Sequence, residues 1–81
     1  MMMRETNQKE ITDLALASYL SAIGHQIQSV KPGVGRKLVF VFQGSEALKR
    51  DVLSYFNRKG IVDALTYYET VRNLKALVLG G

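Results

Sequence analysis

Few side chains in this sequence are equipped for covalent or acid–base chemistry. Cysteine is absent, which removes thiolate nucleophiles, disulfides and thiolate zinc sites. The single histidine, His25, excludes a multi-histidine metal site within one chain. His25 could carry a proton near neutral pH, but no Ser/Asp constellation in the sequence points to it. Placed directly after Gly24, it is expected to bond the last carbonyls of a helix or to pack on Tyr19. Asp13, Glu46 and Asp63 fall where helices start, so they read as caps or first-turn residues rather than as a carboxylate pair. The expectation is no catalytic residue, no metal ligand, no cofactor-binding residue and no cofactor.

Binding chemistry is better represented. In Pro32-Gly33-Val34-Gly35-Arg36-Lys37, backbone N–H groups beside glycines are suited to cradle an anion. A nucleotide-binding loop needs Lys-Ser/Thr opening a helix, whereas this segment opens a strand, so it reads as a turn carrying solvated charge. Phe40 and Phe42 sit on a strand as aromatic RNA-binding residues do, but that motif's glycine is missing, and core is the expected role. The cations are unevenly spread. Residues 31–59 hold Lys31, Arg36, Lys37, Lys49, Arg50, Arg58 and Lys59 against Glu46 and Asp51, a net of +5, while the remainder nets −1. Arg36, Lys37, Lys49, Arg50, Arg58 and Lys59 are therefore the candidate nucleic-acid-binding residues, through phosphate neutralisation. The competing reading is a solvated surface that keeps a small protein dispersed.

These side chains must be positioned by a small set of elements. Residues 1–10 are polar and aperiodic and read as a flexible N-terminal tail; residues 11–81 read as one α+β domain. Thr12 or Asp13 caps a helix that runs to Ile23 and stops at Gly24. That helix is apolar nearly all round, the mark of a buried helix. His25–Val30 alternates weakly, with Ile27 and Ser29 on one side. Lys31–Gly35 is turn chemistry, and Lys37–Phe42 is the clearest strand. The pair makes a β-hairpin. The second strand is apolar on both faces, with Leu38, Phe40 and Phe42 on one and Val39 and Val41 on the other. Ser45 caps a second helix with the stripe Leu48, Val52, Leu53, Tyr55 and Phe56, ended by Gly60. Asp63 caps a third helix, with Val62 and Tyr67 placed for a hydrophobic staple. The expected architecture is α-β-β-α-α, an antiparallel hairpin packed against three helices.

With 81 residues, 47% of them hydrophobic, the chain is long enough for one core and too short for two. A lone hairpin leaves open edges, and the first helix and second strand offer more apolar surface than one small chain readily covers. The sequence therefore predicts a homo-oligomer, a dimer foremost. No apolar run approaches the roughly twenty residues that span a bilayer, and Met1–Glu10 shows no signal-peptide core, so a cytoplasmic protein without membrane association is expected.

The run Thr12–Leu20 followed by Gly24-His25, then Phe40-Val41-Phe42, Tyr55-Phe56-Asn57, Asp63-Ala64-Leu65 with Tyr67, and Asn73-Leu74-Lys75 resembles a family of short proteins of bacteria and their phages, catalogued as a domain of unknown function. The resemblance covers the chain from about residue 12 onward and implies a bacterial or prophage source. It implies no activity, cofactor or site. The function expected is a small non-catalytic binding module, its partner either nucleic acid or another protein.

Overall fold

A strand binds where its residues find a partner edge, and here an extra one forms. In the computed structural model, which describes residues 7–35 and 37–79, the order is β1 (Gln8–Ile11), α1 (Leu14–Ala22), β2 (Ile27–Pro32), β3 (Leu38–Gln43), α2 (Glu46–Phe56) and α3 (Ala64–Val78). The α+β class is as expected; the α-β-β-α-α order gains a strand before α1. Residues 8–10, expected to be tail, belong to β1, and residues 1–6 lie outside the described residues. β1 has one apolar residue, Ile11, so local pattern gives no sign of it. Its pairing with β3 and the burial of Ile11 supply what propensity does not.

The sheet has the order β1-β3-β2, antiparallel throughout. The strand apolar on both faces is thus its centre. Ile11 lies opposite Phe40, and Ile27 opposite Phe42. Phe40 and Phe42 form the core with Leu16, Ala17, Tyr19 and Leu20 of α1, Leu48 of α2 and Leu74 of α3, so all three helices bury side chains in the cluster that holds this face. On the other face Val39 and Val41 are only 8% and 2% exposed. The register sets Lys31 opposite Val39 and Glu10 opposite Val41, and Lys31 Nζ meets Glu10 Oε2 at 2.5 Å across the central strand. Nearby, Gln8 Nε2 donates to Gln28 Oε1 at 3.4 Å, and Gln28 Nε2 donates to Gln43 Oε1 at 2.7 Å. The stems of these long polar side chains shield the valines while their heads stay wet.

A bulge lies between Ile27 and Ser29. It turns Ile27 to the core and Ser29 to the face of Val41, correcting the expectation that the two share a side. An extra residue on one strand inverts the alternation beyond it.

Asp13 caps α1, its carboxylate accepting the Leu16 N–H at 3.0 Å. The helix ends as expected at Gly24, with φ +113°. Gly24 N–H donates to the Ser21 carbonyl and His25 N–H to that of Leu20, the paired bonds of a Schellman motif. Leu16 to Leu20 are all buried. The sheet and the other two helices cover α1, which sequence alone assigned to a second chain. Ser45 and Asp63 cap α2 and α3 as expected, accepting the N–H of Leu48 and of Thr66. No helix among the described residues is long and apolar enough to cross a membrane.

Candidate nucleic-acid interface

An amphipathic helix shows its chemistry on the face opposite its core stripe. On α2 the core side is Leu48, Val52 and Tyr55. Leu53 and Phe56, expected in that stripe, are instead 57% and 62% exposed. Three and four residue spacing aligns Lys49, Leu53 and Phe56 in one row and Arg50, Ser54 and Asn57 in the next. Lys49, Arg50 and Lys59 line one shallow hollow of about 380 Å³ with Glu46, Leu53, Ser54 and Asn57. Lys49 and Leu53 also line a second hollow of about 600 Å³ with Asn7, Gln8 and Lys9 of the β1 region, Gly44, Ser45, Glu46, Leu48 and Val52. Lys9 thus joins Lys49, which sequence reasoning missed because it placed Lys9 in a tail. Among the described residues the contacts within 4 Å between a basic nitrogen and a carboxylate are Lys31–Glu10 and His25–Asp51, so no described carboxylate lies within 4 Å of Lys9, Lys49, Arg50 or Lys59.

The other candidates are dispersed. Arg36 lies outside the described residues. Lys37 sits at the hairpin tip, before β3, whereas α2 follows the other end of that strand. Six residues of strand separate the two ends by about 17 Å. Arg58 is turned away by the end of α2. Asn57 is the C-cap, Arg58 has φ +61°, and the N–H groups of Arg58 and Lys59 donate to the carbonyls of Tyr55 and Ser54. This is a Schellman motif with arginine at the left-handed position, so Arg58 and not Gly60 stops the helix. Arg58 lines a hollow of about 210 Å³ with Tyr19, Tyr55, Gly60, Val62 and Tyr67. Gly60 lies flat on Tyr19, where a Cβ would come within 2.6 Å of the hydroxyl oxygen. Burial, then Asp13 and Tyr67, pushes the Tyr55 phenol above its usual range.

His25 takes a role with no local signal. Its backbone N–H bonds the helix carbonyl as expected, but its Nε2 lies 2.6 Å from Asp51 Oδ2, twenty-six residues away. The pair ties the α1–β2 turn to the middle of α2. Beside it, Gly24, Gln26, Gln28, Gln43 and Ser45 complete a hollow of about 350 Å³. Ser45 Oγ, the hydroxyl there, is engaged as the α2 cap. Phe40 and Phe42 are core, as expected. No group of three or more His, Asp or Glu among the described residues is placed to hold a metal ion.

A family model described as "Domain of unknown function (DUF5659)" matches residues 6–80. Searches among curated proteins and among solved structures find no match.

Proposed function

The chain belongs to the DUF5659 family, and on that premise we propose that it is a non-catalytic binding module that holds nucleic acid on the solvent face of α2. One observation carries the reading: Lys49, Arg50 and Lys59 line a single hollow on that face. Such clusters hold phosphates through release of the counterions condensed on the nucleic acid. Lys9 extends the cationic surface across the adjoining hollow. The interface is the α2 face rather than the hairpin tip, because Lys37 stands at the other end of β3. The expected biological setting is that of a bacterial or prophage accessory protein.

Fluorescence anisotropy with a labelled oligonucleotide over a salt series tests this. Three phosphate contacts give a slope of log K against log salt of about −2 to −3. The variant Lys49→Gln/Arg50→Gln/Lys59→Gln should bind at least tenfold more weakly with a flattened slope, and Lys37→Gln should leave both unchanged. Absence of wild-type binding at low salt ends the proposal.

A second reading, self-association, is supported by a different surface. Ile61, Leu65 and Tyr68 are exposed around the start of α3, beginning two residues after Lys59. The marginal stability of a two-stranded hairpin no longer argues for a dimer, since β1 makes the sheet three-stranded, while β1 and β2 remain its two edges.

A further inference from the structure

Phosphate contacts alone do not require an exposed aromatic ring on the helix that carries the cations. Phe56 is 62% exposed, in line with Lys49 and Leu53 and three residues before Lys59. Its ring is not loose. Tyr55 meets it in a T-shaped contact, centroids 5.3 Å apart at 85°, and Tyr55 in turn packs on buried Tyr19 at 5.5 Å. An aromatic chain thus runs from the core to the surface and holds a ring whose remaining area faces water. The other well-exposed aromatic, Tyr68, differs: the Arg72 guanidinium already lies over its ring, 5.7 Å from the centroid.

Resting on the reading of α2 as a phosphate-binding face, we infer that its ligand is single-stranded nucleic acid, with one base stacked on Phe56 while neighbouring phosphates meet Lys49, Arg50 and Lys59. A duplex keeps its base faces stacked inside and offers an apolar ring nothing; a single strand presents both a π-face and a charged backbone at short spacing. The α2 helix is about 16 Å long, which suits a site on the order of four nucleotides, at the lower end of such platforms. Stacking is tolerant of base identity, so little sequence preference accompanies it.

The chain contains no tryptophan, so Phe56→Trp installs a single fluorophore at the platform. The probes are dT12, rU12 and a 12-base-pair duplex. We expect the wild type to bind dT12 or rU12 about tenfold or more tighter than the duplex, with any preference between the two naming the sugar of the natural strand. Phe56→Trp should retain that affinity and its emission should be quenched at saturation. Phe56→Ala should lose about tenfold or more, the scale of one base–aromatic stack, with an unchanged salt slope. Because Phe56 is largely exposed, its thermal unfolding should stay close to wild type, and the tryptophan readout stands independently of it. Duplex binding equal to single-strand binding, or unchanged tryptophan emission on saturated protein, overturns the stacking inference. The phosphate-face reading survives that outcome if the triple neutral variant still loses affinity. No binding of any probe at low salt removes both.

Discussion

Arg58 holds the left-handed position that ends α2, where a side chain with a Cβ costs about 1 kcal/mol or more relative to glycine. Replacing it removes that strain and leaves both Schellman bonds, which are made by backbone groups. Arg58→Gly should therefore raise the free energy of unfolding by about 1 kcal/mol in urea titration. A loss would mean that the Arg58 side chain contributes contacts worth more than the strain. Asp63 offers a test through pH. Its carboxyl is held below its ordinary range first by the Thr66 N–H and then by the Thr66 hydroxyl. A folded value below the unfolded one means stability present above the unfolded pKa and lost as pH falls through the folded one. Asp63→Ala should lower the melting temperature at neutral pH, and the gap from wild type should close as pH falls below about 4. A gap independent of pH would exclude the carboxylate as its source.

Among the elements, β1 has the least local support and a large structural consequence. It contributes three exposed polar residues and Ile11, which is buried opposite Phe40. Ile11→Ala should cost about 2–4 kcal/mol, the range for a large aliphatic truncated in a core, while Glu10→Ala should cost less than about 1 kcal/mol, as exposed ion pairs do. Equal effects in denaturant titrations would show that Ile11 does not anchor the strand. The helices were far more legible than this strand: Asp13, Ser45 and Asp63 marked their starts and Gly24 one of their ends, because caps act over three or four residues. The β2 bulge and the stop at Arg58 were not legible. Alternation over six residues does not reveal an inserted residue, and arginine carries no signal for a left-handed turn.

At the scale of the whole molecule, covering the apolar surface within one chain alters the case for assembly. Sequence reasoning gave α1 and β3 to a second subunit; α2, α3, β1 and polar stems from the outer strands cover them instead. Apolar side chains still exposed include Leu53 and Phe56 on α2 and, around the start of α3, Ile61, Leu65 and Tyr68. If the patch at the start of α3 associates, light scattering after size exclusion at tens of micromolar should show a dimer, and Leu65→Glu should return it to a monomer with its circular dichroism intact. A monomeric wild type ends the dimer reading without touching nucleic-acid binding. The candidate site was legible in part for the same reason. Lys49, Arg50 and Lys59 share a helix and its terminus, so residue spacing brings them together. Lys9 comes from β1, and the separation of Lys37 follows from the length of β3. His25 and Asp51 meet across twenty-six residues, and no spacing rule anticipates that.

By itself, the sequence determined the absence of thiol chemistry, the three helices with their caps, the central strand and the basic bias of residues 31–59, since composition, capping and periodicity are local properties. Only the tertiary structure decided that a polar segment would pair as β1, that β3 would sit at the centre of the sheet, and that Lys9 would border the same hollow as Lys49. Each of those depends on which distant residues meet, and the free energy that selects among such meetings comes from burying Ile11, Phe40, Phe42 and the inner face of α1 together.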